Sequence, residues 1–153
     1  MSGVEYDEEA LSFFNNLSGR LNVRLSEPTE LIAEGLENRA APPSARIEAV
    51  SLSMQVFMRA AEVKFRDLTE EEWNRVVLRA PAIRLGGSDE RVIEHQAPDG
   101  CAFTVRDLTA AVAETERQTR GGTNWFGGVD VHHVFFEGLS LDKDGVWWIR
   151  WGS

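Results

Sequence analysis

Apolar residues near the start of the chain recur at helical spacing. Tyr6, Ala10, Phe13, Phe14 and Leu17 fall at i, i+4, i+7, i+8 and i+11, which places them on one face of a helix. The asparagines and the Ser-Gly pair that close this stretch are typical of a helix end. The pattern therefore predicts a first amphipathic helix over these residues.

A second helical pattern covers residues 28–39. Pro28 lies in what would be the first turn, where proline is tolerated, and the apolar stripe consists of Leu31, Ile32 and Leu36. Two consecutive prolines in the segment 40–44 then exclude any continuation of the helix. We interpret 40–44 as a loop inside one domain. In the alternative, this loop joins a helical arm, residues 1–39, to the rest of the chain.

Residues 46–66 fit two periodicities. Apolar positions between Val50 and Phe65 form a helical stripe, whereas those between Val50 and Met58 alternate with polar residues as in a strand. A segment of about 20 residues is long for a strand. Length therefore favours a helix here, and a strand is the alternative.

Two capping boxes mark further helix starts. Thr69 precedes Glu72 by three residues, and Thr104 precedes Asp107 by the same spacing. In this motif the threonine hydroxyl accepts a hydrogen bond from the backbone N–H three residues later, and the acidic side chain accepts one in return. We predict that both threonines are helix N-caps.

Helix breakers indicate where these two helices end. The apolar positions Val76, Val77 and Ala80 extend the first helical face as far as Pro81. The second helix is expected to end at about Thr119, because two glycines follow at 121 and 122.

The C-terminal segment has the composition of β structure. Residues 129–141 are rich in Val and Phe, and residues 146–151 are rich in Val, Ile and Trp. Asp142–Gly145 between them is a turn sequence, so we predict an antiparallel hairpin.

A four-residue loop would set the register of that hairpin. It places Leu141 opposite Val146 and Glu137 opposite Arg150, where the opposite charges would help to fix the pairing. A lone hairpin is only marginally stable, so more strands are expected. The candidate segments are 82–85, 91–96 and 100–104.

Together these elements predict an α+β fold. We expect several amphipathic helices packed on a small, mainly antiparallel sheet that includes the C-terminal β-hairpin. The length of 153 residues is close to the commonest domain size. Residues 1–153 are therefore expected to form a single globular domain.

Composition narrows the class of protein. The hydrophobic fraction of 42% is too high for a disordered chain, and no apolar stretch approaches the ~18 residues of a membrane-spanning helix. One cysteine cannot form an internal disulfide, and the N-terminus is acidic where a secretory signal would be basic. We therefore expect a cytoplasmic protein.

The net charge of the chain indicates which classes of partner it can bind. The chain has 25 acidic and 16 basic residues, a net charge of −9. Phosphate backbones and anionic lipids repel such a chain, so we expect neither nucleic-acid nor membrane binding. The same field would attract a basic protein partner. Because solubility alone also explains an acidic balance, charge does not by itself specify a partner.

Carboxylates and imidazoles cluster near the predicted hairpin. Asp130, His132, His133 and Glu137 are residue types that bind metal ions. On a strand, His132 would share a face with Asp130, and His133 with Glu137, so neither face would gather three ligands. We expect no metal and no other cofactor. Cys101 follows no catalytic signature, and an unreactive thiol is the simpler interpretation.

Aromatic residues concentrate towards the C-terminus. Trp125 and Phe126 lie between two glycine pairs, a setting that suits either a mobile lid or a docking anchor. Trp147 and Trp148 are adjacent in a predicted strand, so one faces the core and the other faces solvent, a cavity or a partner. We expect substantial exposure in a monomer for at least one member of the set Trp125, Trp147, Trp148 and Trp151.

Two functions fit these observations best, and a structural subunit of a homo-oligomer is a third alternative. The first is an acidic, non-catalytic protein that recognises another macromolecule, or itself as a homodimer, through an aromatic C-terminal face. The residues assigned to partner or ligand binding are Trp125, Phe126, His132, His133, Glu137, Trp147, Trp148 and Arg150.

The second function is that of a small-molecule-binding protein or enzyme. Its pocket would lie between the hairpin and the helix over 105–119. Ligand pockets are mostly apolar and contain a few polar groups. The polar lining would consist of His132 or His133, Glu137, Glu114, Arg117 and Arg150. The lack of a catalytic signature in the sequence favours the first function, without catalysis.

Overall fold

The computed structural model describes residues 5–25, 47–59, 62, 64–122 and 131–153. The helices among them are α1 (Glu8–Asn15), α2 (Glu70–Trp73) and α3 (Val105–Thr119), which continues into a 3-10 turn at Arg120–Gly122. The strands are β1 (Glu5–Tyr6), β2 (Ser18–Leu25), β3 (Ile47–Phe57), β4 (Phe65–Asp67), β5 (Val76–Arg79), β6 (Ala82–Gly86), β7 (Val92–Gln96), β8 (Ala102–Thr104), β9 (Phe135–Leu141) and β10 (Val146–Gly152).

The strands pair into two sheets. The large sheet has seven strands in the order β4-β3-β2-β9-β10-β6-β7, and the small sheet has the order β1-β5-β8. All strand pairs are antiparallel except β10 with β6, which run parallel. The α+β class is confirmed. The expectation of several amphipathic helices on a small sheet is wrong, since three helices in the described residues accompany a large seven-stranded sheet.

The helix favoured for residues 46–66 is wrong, because this segment contains β3 and β4. Strand β3 pairs with β2 through Val50, Leu52 and Met54 among other positions, and it pairs with β4 on its other side. The alternation of apolar residues was therefore the correct signal. The argument from length was wrong because residues 46–66 do not form one element but contain all of β3, which has 11 residues, and the start of β4.

The helix that begins after Thr69 is shorter than predicted. Helix α2 ends at Trp73, and the two valines expected on its continuing face, Val76 and Val77, belong to β5. Strand β5 lies between β1 and β8 in the small sheet. Pairing on both edges, which no local pattern shows, gives these β-branched residues the extended conformation that they favour.

Both predicted N-caps are confirmed. The Thr69 hydroxyl accepts a hydrogen bond from the Glu72 backbone N–H at 3.1 Å, and the Glu72 carboxylate accepts one from the Thr69 N–H at 2.9 Å. Thr104 and Asp107 make the same two contacts at 3.1 and 2.9 Å. Helix α3 then runs to Thr119, as predicted. The predicted strands at 82–85, 91–96 and 100–104 correspond to β6, β7 and β8.

The C-terminal hairpin is confirmed, but its register differs by one residue. Leu141 faces Trp147 rather than Val146. The Asp142 carboxylate accepts hydrogen bonds from the backbone N–H groups of Asp144 at 2.8 Å and of Val146 at 3.0 Å. Gly145 has φ +83°, in the left-handed region that glycine adopts easily. This conformation suits a shorter turn than the four-residue loop predicted from the sequence.

A β-bulge removes the predicted pairing of Glu137 with Arg150. Between the facing pairs Leu139–Ile149 and Phe136–Trp151, β9 contains two residues and β10 contains one. Gly138, in the bulge, has φ +102°. No ion pair joins Glu137 and Arg150 in the described part of the chain.

The side chain of Asn15, at the end of α1, fixes the backbone beside this bulge. Its carboxamide oxygen accepts from the Leu139 N–H at 2.9 Å, and its NH2 group donates to the Leu139 carbonyl at 3.3 Å. Any Cβ at Gly138 would lie 3.1 Å from the Asn15 Cβ. The first predicted helix exists as α1, but it is shorter than predicted, because Tyr6 belongs to β1 and Leu17 follows the helix end. The last residue of α1 positions β9. The predicted helix over 28–39 and the loop 40–44 lie outside the described residues.

One face of the large sheet, here called the inner face, is buried. Facing residues of neighbouring strands share a side of the sheet, and the inner pairs include Leu21–Leu52, Gly19–Phe136 and Leu85–Ile93. Buried side chains of the surrounding elements pack in the same cluster; they are Phe14 of α1, Leu78 of β5, Phe103 of β8, and Leu108 and Val112 of α3. The opposite side of the sheet is here called the outer face.

Candidate interaction surface

The outer face of the large sheet is exposed from edge to edge. Alternation along the strands and the pairing register place one set of side chains on this side. Those that are exposed are Ser18, Arg20, Asn22, Arg24, Ser51, Ser53, Gln55, Phe57, Phe65, Asp67, Phe135, Glu137, Arg150, Arg84, Val92, Glu94 and Gln96. Helices α1 and α3 contact the sheet through its inner face, so they do not cover this surface.

The centre of the outer face is an arginine–phenylalanine pair. Arg20 of β2 lies directly opposite Phe135 of β9, and its guanidinium carbon is 5.8 Å from the centre of the Phe135 ring. A cation over an aromatic face is attracted by the ring quadrupole. Phe135 is nevertheless 46% exposed. This contact orients the arginine while it leaves much of the ring free to meet another surface.

Trp148 is the second aromatic residue of the outer face. It faces Gly86 on the neighbouring strand β6, and a Cβ on that glycine would lie 2.1 Å from the indole Cε3 atom. The indole therefore lies against the glycine backbone. Its N–H donates a 2.8 Å hydrogen bond to the Asp142 carboxylate. Glycine beneath and aspartate at the edge hold the half-buried indole in one orientation.

The same contacts stabilise the ionised form of the Asp142 carboxyl group. The Trp148 N–H first, and then the backbone N–H of Val146, lower the pKa of the Asp142 carboxyl below its usual value. A carboxylate that accepts several hydrogen bonds is stabilised in its charged form. Asp142 therefore links the turn of the hairpin to the orientation of Trp148.

A third aromatic group lies at the β4 edge of the sheet. Phe57 and Phe65 face each other across β3 and β4, with ring centres 5.5 Å apart. They are 47% and 41% exposed. The outer face thus carries separate aromatic positions at one edge, at the centre and beside β6, with serine, asparagine and arginine between them.

The other two tryptophans of β10, Trp147 and Trp151, face the other way. Trp147 is buried, 2% exposed, and meets Tyr6 edge-on with ring centres 5.7 Å apart. Trp151 is half-buried and contacts Phe136. Trp148, Trp151 and the helical Trp73 are all intermediate in burial, so no tryptophan in the described residues is highly exposed. Trp125 and Phe126 lie outside the described residues.

The two histidines do not lie on a strand, contrary to the prediction. Strand β9 begins at Phe135, so the alternation argument does not apply to His132 and His133. Their rings meet edge-on with centres 5.6 Å apart, and His132 is exposed whereas His133 is half-buried. They precede the strand that carries Phe135 and Glu137.

A buried ion pair fixes this segment to α3. Glu116 and Arg120 are both fully buried, and the Arg120 Nε donates to the Glu116 carboxylate at 2.7 Å. Arg120 also donates a 2.7 Å hydrogen bond to the His133 carbonyl. Its guanidinium carbon lies 5.0 Å from the centre of the Trp151 ring. Burying two charges is costly unless they are well paired. This pair joins the end of α3 to the start of β9.

A separate groove lies between β3 and α3. Its volume is about 390 Å³, and its apolar walls include Leu52, Trp73 and Ala113, with Arg106 and Glu114 among its polar groups. The guanidinium carbon of Arg106 is 5.4 Å from the centre of the Trp73 ring, and Arg106 forms an ion pair with Glu70.

The polar residues proposed for a ligand pocket are not brought together. Glu114 and Arg117 pair with each other on α3, and the hydrogen bond from Arg117 lowers the pKa of Glu114 to about 2. Glu137 and Arg150 lie on the outer face, whereas α3 packs on the inner face. The sheet therefore separates the two halves of that lining.

His95 lies on the inner side of the edge strand β7, opposite Ile83. Its Nε2 is 2.6 Å from the Thr115 hydroxyl oxygen, and that hydroxyl donates to the Ala111 carbonyl at 2.8 Å. The hydroxyl proton is thereby used, so the imidazole Nε2–H is the donor to Thr115. Burial lowers the pKa of His95, and Glu114 opposes that shift in part.

The remaining candidates from the sequence are a metal site and the cysteine. Within the described ranges, no three histidine, cysteine or acidic side chains are grouped so as to hold a metal ion. Asp130 lies outside those ranges. Cys101 is a free, exposed cysteine.

Sequence reasoning missed Arg20 and Phe135 as members of the surface. The available signal was the strict alternation of polar and small or apolar residues over 18–25, which is typical of a half-buried strand. Only Ser18 and Gly19 of that segment were interpreted, as the end of the first helix, and residues 20–25 were left unassigned. Without β2 in the sheet, nothing indicated a partner for Phe135.

Comparisons with known proteins identify no relative. No protein-family model matches the chain, and no curated protein and no solved structure is significantly similar to it. In the part of the chain that the structure describes, no helix has both the length and the apolar character to cross a membrane.

Proposed function

We propose that this protein is a non-catalytic interaction module and that the outer face of its large sheet is the binding surface for another protein chain. The observation that carries the proposal is the exposed ring of Phe135 on a sheet face that no described helix covers. Trp148, Glu137 and Arg150, which the sequence had suggested for binding, lie on the same face.

The composition of the outer face supports protein binding. Phenylalanine, tryptophan and arginine are the residue types enriched at protein interfaces. Arg20 and Arg150 form no ion pair in the described part of the chain. Arg150 donates one hydrogen bond to the Ser140 hydroxyl at 3.3 Å and Arg20 lies over Phe135, so neither charge is neutralised by a carboxylate of the described residues. The chain's net charge of −9 disfavours a nucleic acid as that partner.

Preorganisation supports the same proposal. Gly86 and Asp142 hold the Trp148 indole, and Arg20 is oriented over Phe135. Side chains that are already ordered lose less conformational entropy on binding. The surface therefore has fixed aromatic positions rather than mobile ones.

The test compares the proteins that the wild type and two matched variants retain in a pull-down experiment. Phe135→Asp and Leu141→Asp each add one negative charge to β9 and remove a side chain of similar exposure, 46% and 44%. Only Phe135 faces outward; Leu141 faces Trp147 on the inner side at the end of the hairpin. A protein retained by the wild type and by Leu141→Asp, but not by Phe135→Asp, supports the proposal once the purified pair is titrated calorimetrically. Equal capture by both variants contradicts it.

A small ligand in the groove between β3 and α3 is the second candidate. The observation that favours it is a concavity of about 390 Å³ with Trp73 in its wall, within the size range of ligand pockets. Screening small molecules by NMR and repeating the titration with Ala113→Leu, which would fill the groove, tests it. Hits that bind the variant equally well do not occupy this groove.

A further inference from the structure

The outer face differs in charge from the rest of the molecule. It and its rim carry four arginines and five carboxylates: Arg20, Arg24, Arg84, Arg150, Glu48, Asp67, Glu94, Glu137 and Asp142. The face is therefore close to neutral, with a net charge of −1, in a chain whose net charge is −9. Most of the excess negative charge belongs to the other surfaces and segments.

This distribution determines how two copies of the chain can meet. Like-charged proteins repel each other, and the repulsion is strongest when acidic surfaces approach closely. An isologous contact uses the same surface on both copies. Contact through the outer face brings two nearly neutral surfaces together and keeps the more acidic surfaces apart.

We infer that the partner of the outer face is a second copy of this chain, in a symmetric dimer that buries Phe135 and Trp148 of both copies. The inference rests on the proposed function, since it names the occupant of the same surface. Phe135 at the centre, and Phe57, Phe65 and Val92 towards the two edges, supply the exposed apolar area.

The size of the face agrees with this occupant. Seven strands spaced by about 4.8 Å give a width of about 30 Å, and central strands of seven or eight residues are about 25 Å long. The product is about 750 Å², close to the ~800 Å² that each partner buries in a stable interface. Two such sheets pack face to face at a separation of about 10 Å.

Sedimentation velocity of the purified full chain tests the inference. The wild type should show a concentration-dependent mass that approaches twice 17.1 kDa. Phe135→Asp should weaken association by about tenfold or more, as expected for the loss of a central aromatic residue. Leu141→Asp should associate as the wild type does. A wild type that stays monomeric at every concentration overturns the inference.

A second pair of variants covers the case in which Phe135→Asp does not fold. Arg150→Glu and Arg79→Glu change the net charge equally at exposed positions, but Arg79 lies on β5 in the small sheet. Only Arg150→Glu should weaken the dimer. Equal effects of the two variants would show that net charge, and not the outer face, controls association, and would overturn the inference.

The capture experiment above separates the two claims. A monomeric wild type that still binds another protein through Phe135 overturns the dimer and leaves the proposed binding surface intact. A monomeric wild type whose captured proteins do not depend on Phe135 overturns both.

Discussion

Trp147 and Trp148 are adjacent on β10, yet the sheet gives them different environments. Trp147 faces inward and is 2% exposed, among buried residues of both sheets. Trp148 faces outward, lies against Gly86 and donates to Asp142. The inner face therefore holds its aromatic residue by burial, whereas the outer face holds its aromatic residue by one hydrogen bond and one glycine.

The difference separates stability from recognition. Burial of apolar area dominates the free energy of folding, so the inner face determines whether the sheet forms. The outer positions contribute less to folding, and an exposed Phe135 there gains nothing until another surface covers it. Substitutions on the two faces should therefore affect different measurements.

The largest expected effect comes from truncating the two tryptophans. Trp147→Ala should lower the free energy of unfolding by about 3–5 kcal/mol, as expected for a large buried side chain. Trp148→Ala should cost about 1–2 kcal/mol, because a half-buried ring and one hydrogen bond are lost. Urea denaturation of both variants measures the difference. Equal losses would mean that the outer face is as important for stability as the inner face.

The sequence was sufficient where the pattern is local. The capping boxes at Thr69 and Thr104, the helix that ends at Thr119 and the turn at Asp142 depend on residues within a few positions of one another. Side-chain chemistry at fixed offsets specifies such elements.

The sequence was insufficient where the structure depends on distant pairing. Strand β5 is defined by partners at both ends of its sheet, and the bulge at Gly138 is held by Asn15, 124 residues from Leu139. The alternation over 18–25 and that over 50–58 offered usable signs of the outer face. Aromatic composition did indicate the C-terminal strand, but register decided which side each indole would occupy.

Two adjacent glycines provide the next test of the comparison. A Cβ at Gly87 would lie 2.1 Å from the hydroxyl oxygen of Thr119, which is fully buried and accepts from the Ser88 N–H. A Cβ at Gly86 would instead meet Trp148. Gly87→Ala should cost about 2–3 kcal/mol, because the buried threonine cannot move aside.

The expected cost of Gly86→Ala is smaller, about 1–2 kcal/mol, because the Trp148 indole can move towards solvent. Its fluorescence should change as the hydrogen bond to Asp142 is lost. Thermal denaturation ranks the two variants. A larger loss for Gly86→Ala would show that Trp148 is fixed more firmly than its half-buried position indicates.

The two capping threonines give a smaller effect. Thr104→Ala and Thr69→Ala should each cost about 1 kcal/mol, because each removes the acceptor for one backbone N–H at a helix start. Thr→Ser variants keep the hydroxyl and serve as controls. Chemical denaturation should show a clear loss for both alanine variants. No measurable loss for either would contradict the role of these hydroxyls.

The smallest expected effect is a change of stability with pH that arises on the inner side of β7. His95 donates from Nε2 to Thr115, and burial lowers its pKa below the ordinary value of 6.5. The unfolded chain therefore binds a proton at His95 more readily than the folded chain does. Stability from this residue is complete above pH 6.5 and falls as the pH decreases through the folded pKa.

Denaturation at about pH 7.5 and about pH 5.5 measures this dependence. Glu114 has a pKa of about 2 and stays ionised across that interval, as does Asp142, whose pKa is also lowered. His95→Gln keeps a hydrogen-bond donor but does not titrate, so it should lose less stability on acidification than the wild type does. If both proteins lose the same amount, the dependence does not come from His95, and the inner side of β7 does not respond to pH in this range.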